Sequence, residues 1–236
     1  MERILTMMVK FLLLAFLTFA VSSAAPAADA ASEPNCENQI VADIYFLIDG
    51  SNSINSIGYG RELDFVISVS KQFPFGPQNV QLALGIFSTT FKHIVDLNGS
   101  PTFDDFSQTV RNTVQLKKNT FTHLALEAIL SDGLLRSAAR GGRNVQKILI
   151  LVTDGRSENT AKTVAAADKL WGDNVTIICV GVGSIDKDEL KAVARDEKNV
   201  ITVKSFGKLD SDIIKRITQR VCEAPADKPA PTDAPA

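Results

Sequence analysis

The sequence predicts a doubly wound α/β domain: a six-stranded, mostly parallel sheet with one antiparallel edge strand and helices on both faces. Three observations lead there. Short continuous apolar runs, IYFLI (44–48), ILILV (148–152) and VTIICVGV (175–182), read as strands buried on both faces. Segments with apolar residues at three- and four-residue spacing alternate with them, as helices covering a parallel sheet do. Two of the runs lead into Asp-Gly, at Asp49-Gly50 and Asp154-Gly155, which puts both acids on one rim of the sheet.

The elements follow in order. Ile44 to Ile48 is the first strand. Leu63, Val66, Val69 and Phe73 recur at helical spacing, and Pro74 ends that helix. Val80 to Phe87 and Phe91 to Val95 are two strands joined by Ser-Thr-Thr, a hairpin that supplies the antiparallel edge. Phe103 to Val110 is a short helix beginning near Thr102, with Asp104 and Asp105 where acids favour the helix dipole. Leu124 to Leu135 is helical, Ile148 to Val152 a strand, Ala161 to Leu170 a helix and Val175 to Val182 a strand. Asp188 to Arg195 is a helix, Val200 to Val203 a strand, and Leu209 to Val221 the last helix.

Composition narrows the function. Of 236 residues, 45% are hydrophobic and 22% charged, near the globular average, which excludes disordered, collagenous and multi-span membrane chains. The net charge of −2 offers no basic excess for nucleic acid. The N-terminus reads as a secretory signal: Arg3 and Lys10, then the apolar run Phe11 to Val21, then Ser22, Ser23, Ala24 and Ala25. The run is shorter than the roughly 20 residues of a spanning helix. Residues 1–24 are thus expected to be the signal peptide, an uncleaved anchor being the alternative. Residues 25–40 form a linker, 41–222 one domain, and 223–236 a Pro/Ala-rich tail too poor in apolar residues to bury a core. No membrane attachment is expected after cleavage.

The first rim loop, Asp49-Gly50-Ser51-Asn52-Ser53, has the pattern D-x-S-x-S. Beyond a strand end, alternation turns Asp49, Ser51 and Ser53 toward one point. A carboxylate and two hydroxyls are hard oxygen donors, suited to Mg²⁺ or Mn²⁺ rather than to Zn²⁺, which prefers His or Cys. The same pentapeptide also suits a plain strand-to-helix turn with Ser or Asp as N-cap. The second Asp-terminated strand favours the metal.

FLIDGSNSI, KNTFTHLAL and KILILVTDGRS together resemble the von Willebrand factor type A domain of matrilins, non-fibrillar collagens and integrin I domains, over nearly all of residues 41–222. The resemblance implies a Rossmann-like sheet and a metal-ion-dependent adhesion site. Asp49, Ser51 and Ser53 match its first motif, Thr120 the first Thr of its T-x-T loop, and Asp154 the acid ending its fourth strand. It implies that hydroxyls and acids hold Mg²⁺ (or Mn²⁺), the acids directly or through water, and that an acidic residue of the partner completes the coordination. The sequence departs from that pattern at Asn52, where Gly is frequent. It departs again at Lys117, Lys118 and Asn119, which stand before T-x-T in place of Gly-Gly, and at His123, which stands after it. The loop is expected to move less freely, and Lys117 and Lys118 are candidates for steering an acidic partner, an ordinary solvated loop being the alternative. His123 and His93 are expected to be satisfied or solvent-facing residues, not ligands.

In an oxidising compartment Cys36 and Cys222 flank the domain and are expected to pair, with stabilisation of about 5 kcal/mol at most in the chain-entropy model. The alternative pairs Cys36 with another chain. Cys179, inside VTIICVGV, is expected to be a buried free thiol. Asn98 and Asn174 begin N-x-S/T sequons and are candidate glycosylation sites.

The expected function is a secreted, extracellular, non-catalytic adhesion or matrix module. Its partner would be an extracellular protein presenting Asp or Glu, with collagen, other matrix proteins and self-association among the candidates. The competing reading is a structural matrix protein whose metal site is vestigial or only stabilising. An enzyme on the same sheet would need a base near a nucleophilic Ser, and both His lie outside the Asp/Ser motif. No G-x-S-x-G or G-x-G-x-x-G follows a strand.

Overall fold

The computed structural model describes residues 40–136 and 145–225. The expected signal peptide, most of the linker and tail, and Cys36 lie outside these residues. The strands are β1 (Ala42–Asp49), β2 (Val80–Phe87), β3 (Phe91–Val95), β4 (Gln146–Thr153), β5 (Val175–Val182) and β6 (Val200–Val203). The helices are α1 (Ser56–Ser70), α2 (Phe103–Arg111), α3 (Thr122–Ser131), α4 (Thr160–Gly172), α5 (Lys187–Ala194) and α6 (Ser211–Glu223).

The strands form one six-stranded sheet in the order β3-β2-β1-β4-β5-β6, parallel throughout except for β3 at the edge. The expected fold class and element order both hold. Alternation along β1 divides the core in two. Ile44, Phe46 and Ile48 pack with residues of α1, α2 and α6, including Val66, Phe106 and Ile217. Tyr45 and Leu47 pack with residues of α3, α4 and α5, including Leu126, Leu170 and Val193. Burial on both faces explains why these strands read as unbroken apolar runs.

The order reverses between β1 and β4, the switch point where doubly wound sheets leave a crevice at the carboxyl ends of their strands. β1 ends at Asp49 and β4 at Thr153, one residue before Asp154. The topology therefore brings the two Asp-Gly turns side by side.

Helix boundaries differ from expectation: α4 and α5 by one or two residues, and α1, α3 and α6 for identifiable reasons. α3 runs from Thr122 to Ser131, starting inside the T-x-T segment and stopping short of Leu135. Gly133 turns the chain with φ +64°, and Leu135 is buried through that turn instead of a continued helix. α6 begins at Ser211, because Leu209 follows a short 3₁₀ turn at Phe206–Lys208. α1 ends at Ser70, ahead of Phe73 and Pro74. α2 begins as expected: Thr102 and Asp105 form a reciprocal capping box. Among the described residues no helix is long and apolar enough to cross a membrane.

Candidate metal centre

Three segments converge on the β1–β4 rim. The first is the turn 49–53. Asp49 is fully buried; its Oδ1 accepts the Ser51 N–H at 2.8 Å and its Oδ2 accepts the Thr153 hydroxyl at 2.7 Å. The hydroxyls of Ser51 and Ser53 are 2.8 Å apart, and Ser53 donates to Asp154 Oδ1 at 2.6 Å. Asp49, Ser51, Ser53 and Asp154 are thus brought together by hydrogen bonds within and between two neighbouring turns of chain. The N-cap of α1 is neither the Asp nor a Ser of the motif: Asn55, beyond it, caps the helix by accepting the Gly58 N–H at 2.8 Å. That leaves both serine hydroxyls to the rim.

The second segment, 115–121, is laced onto the first. Lys117 N–H donates to Gly50 O at 2.6 Å and Asn52 N–H to Lys118 O at 2.8 Å. Gln115 Nε2 donates to Ser51 O at 2.9 Å and to Ile54 O at 2.8 Å. Gly50 is required by this closure, since a Cβ there would lie 2.6 Å from Ile86 Cδ1 and 3.3 Å from the Leu116 nitrogen. Thr120 is buried, and its carbonyl accepts the Glu158 N–H at 2.8 Å, tying this segment to the third, 153–158. The third is held from beneath by buried Glu189, which accepts the Ser157 N–H at 3.0 Å and the Thr160 hydroxyl.

The lysines have an unusual backbone. Lys117 and Lys118 have φ of +61° and +80°, left-handed values that favour glycine. They stand before T-x-T, where the resemblance has Gly-Gly, and the chain holds these left-handed angles with lysines. Both side chains are exposed.

Below the rim lies a residue the sequence reading missed. Glu62 of α1 is fully buried, its Oε1 accepts the Asp49 N–H at 3.3 Å, and its Oε2 has no hydrogen-bond partner. The signal was available: Glu62 sits at helical spacing with Tyr59, Leu63 and Val66, on the buried stripe of α1. Thr153 and Gln115 were also missed, and no sequence signal marks either.

The electrostatics are those of uncompensated negative charge. Burial raises Asp49 above the usual carboxylate range against the hydrogen bonds from Thr153 and Ser51, and the charge of Asp154 adds to the rise. Burial, then Asp49, drives Glu62 well above that range. Burial raises Asp154 too, opposed by the Ser53 hydrogen bond. Among the described residues no Lys or Arg pairs with any of these acids. No three His, Cys, Asp or Glu cluster there, so the hydroxyls are an essential part of the donor set. Two acids and the hydroxyls of Ser51 and Ser53 converge on one rim, with buried Thr120 in the segment tied to it and no cation paired to the acids among the described residues, an oxygen donor set that fits a divalent metal.

The histidines lie apart from this donor set. His93 is hydrogen-bonded on both ring nitrogens, to the Tyr45 hydroxyl and to Asp96, each at 2.8 Å, and is satisfied as expected. His123 is neither solvent-facing nor fully satisfied: it is buried against Phe121 and its Nδ1 has no partner. The start of α3 at Thr122 carries it inside. Cys179 is buried and free, as expected. Asn98 and Asn174 are both exposed.

The family model for the von Willebrand factor type A domain matches residues 43–216. The collagen alpha-1(XX) chain of Mus musculus is 34% identical over 190 residues, 80% of this chain and 14% of its own length. Matrilin-2 of Mus musculus is 30% identical over 185 residues, 76% of this chain and 19% of its own. Proximal thread matrix protein 1 of the mussel byssus, solved with a zinc-occupied MIDAS motif, superposes with a TM-score of 0.72 at 30% identity. That match covers 79% of this chain and 49% of the mussel chain. The chain therefore spans less than a fifth of the two mouse proteins and about half of the mussel one.

Proposed function

The chain belongs to the von Willebrand factor type A domain family, and from that premise we propose that it is a secreted, non-catalytic matrix-adhesion module. It would bind an extracellular protein through a divalent cation held by Asp49, Ser51, Ser53, Thr120 and Asp154. The observation that carries this reading is the hydrogen-bonded convergence of Asp49, Ser51, Ser53 and Asp154 at the switch point, with no Lys or Arg among the described residues paired to the acids. A divalent cation there supplies a positive centre for a partner carboxylate.

The chain's own residues prepare that encounter. Thr153 and the Ser51 amide fix both oxygens of Asp49, so its orientation is set before any cation arrives. Among the described residues, the exposed large apolar side chains come from segments that adjoin the rim loops in sequence. Ile57 is 68% exposed just after the first turn, Val114 is 78% exposed beside Gln115, and Leu124 is 40% exposed on the first turn of α3. A polar centre amid exposed apolar side chains is the composition of a protein-binding surface. Lys117 and Lys118 add positive potential at the same edge, which favours an acidic partner.

Mg²⁺ is the ion the oxygen donors suit best. Zinc in the mussel protein's motif argues against treating donor hardness as exclusion, so Mg²⁺, Mn²⁺ and Zn²⁺ should be compared. Secretion also motivates a Cys36–Cys222 disulfide and use of the Asn98 and Asn174 sequons. The test is binding of the chain to immobilised matrix proteins with each ion and with EDTA, before and after carbodiimide neutralisation of the partner's acids. Binding should need both metal and acids. EDTA-resistant adhesion would favour a structural matrix role with a vestigial site.

A further inference from the structure

We infer that the groove beside the metal centre is a second anchoring subsite, built for a partner segment that carries an aliphatic residue and a second carboxylate, with Arg61 as that carboxylate's receptor. The inference rests on the adhesion reading and names the partner's chemistry. A cavity of about 580 Å³ starts at the motif, where Ser53 and Asp154 line it. It runs between the first turns of α1 and the loops that follow β5 and β6, lined there by Ile57, Arg61, Ser184 and Phe206 among others.

Arg61 is exposed, and among the described residues nothing pairs with it. Its guanidinium lies over Gly207, where an added Cβ would stand 2.7 Å from Nη1. The bare glycine therefore lets the side chain rest along the groove wall. A partner covering this groove would strip water from Arg61, and a buried guanidinium without an acceptor is costly. A carboxylate satisfies it with two parallel hydrogen bonds. Between the rim and Arg61 stands Ile57, with Phe206 also on the wall, an apolar stretch suited to an aliphatic side chain. One groove thus offers a cation-binding rim, an apolar wall and a free guanidinium.

The probes are three capped peptides of equal length, titrated into the isotopically labelled chain in saturating Mg²⁺. One carries a single Glu, one a Glu, a Leu and a second Glu, and one has Gln in place of the second Glu. The two-acid peptide should bind about tenfold more tightly than the Gln peptide, the contribution of one charge-assisted pair. It should also shift the amides of Ser184, Phe206 and Gly207. Arg61→Gln should erase the tenfold preference while leaving Mg²⁺ affinity and single-Glu binding unchanged. Gly207→Ala, which displaces the guanidinium but keeps its charge, should reduce it in part. Equal binding of the two-acid and Gln peptides would overturn the inference. So would shifts confined to Val114, Lys117 and Leu124, on the other side of the rim. Failure of the metal reading has a separate signature, Mg²⁺ that leaves the Ser51 and Ser53 amides unmoved. A second-acid preference lost in Arg61→Gln would support the groove even then.

Discussion

Replacing Asp49 by Asn should remove metal-dependent stabilisation without harming the fold. Alanine is the wrong probe. Asp49 is fully buried and accepts the Ser51 N–H and the Thr153 hydroxyl, so truncation would orphan the Ser51 N–H at about 1–3 kcal/mol and leave the Thr153 hydroxyl only its longer bond to Gly155 O. Asparagine keeps an acceptor for Ser51, and its amide can donate to the Thr153 oxygen, a hydroxyl that both gives and accepts. It also removes one of three neighbouring acids that repel one another, so the metal-free variant should be at least as stable as the natural chain. The gain from metal follows mass action. At a hundred times Kd, Mg²⁺ adds about 2.7 kcal/mol, which for a domain of this size is about 5–10 °C in melting temperature. A site weakened thousandfold gains less than about 0.1 kcal/mol at the same concentration by the same relation. Differential scanning calorimetry of both proteins, in EDTA and across a Mg²⁺ titration, reads the difference directly. Equal Mg²⁺ shifts in the two proteins, or none in the natural one, would refute the assignment of Asp49 as a ligand.

Glu62→Gln should change how metal-free stability depends on pH. A carboxyl raised by burial favours folding below the unfolded carboxylate range, and that stability is lost as pH rises through its folded pKa, so the natural chain should weaken toward neutral pH and the variant weaken less. Urea melts at several pH values decide it, and parallel curves would refute it. Lys117→Gly combined with Lys118→Gly should relieve two left-handed residues and raise stability by roughly 1 kcal/mol net of glycine's unfolded-state entropy. By surface-plasmon kinetics the same pair should slow association far more than it speeds dissociation, and an unchanged on-rate would show that the lysines do not steer. Non-reducing peptide mapping should join Cys36 to Cys222 and leave Cys179 unpaired; Cys179 in any disulfide would contradict its burial.

The central strands were legible because burial on both faces forces a compositional signature that needs no partner to be seen; β3 and β6, at the edges, are only partly buried. Val80–Phe87, Phe91–Val95, Val175–Val182 and Val200–Val203 stand at the residues read from the chain. Helix ends were less legible, since periodicity reports burial and not conformation. Leu135 is buried at helical spacing from α3 yet reaches the core through a turn. The motif side chains were readable because their types and spacing are peculiar. Their supports were not. Glu62, Gln115 and Thr153 act through contacts made only when the rim closes, and Thr153 reads as one more polar residue at a strand end.

The rim is also where the chain breaks its own local rules, and this bears on whether the metal site is working or vestigial. Lys117 and Lys118 hold backbone angles that glycine would adopt without strain. Glu62 buries a carboxylate with one oxygen unpartnered. Asp49 and Asp154 bring two more acids alongside with no basic residue among the described ones to offset them. Each feature costs stability, and each could be relieved by a single substitution that the fold would accept. Such features also occur elsewhere among the described residues, as the left-handed Asn174 and Arg195 and the unpartnered Ser70 hydroxyl show, but only the rim combines them with neighbouring acids. Costs that coincide at one rim are what the adhesion reading expects of a site kept for what it binds. A bound cation would offset the largest of them, the repulsion among the acids, and an acidic partner would meet the lysines. A site retained only for stability would do better without either.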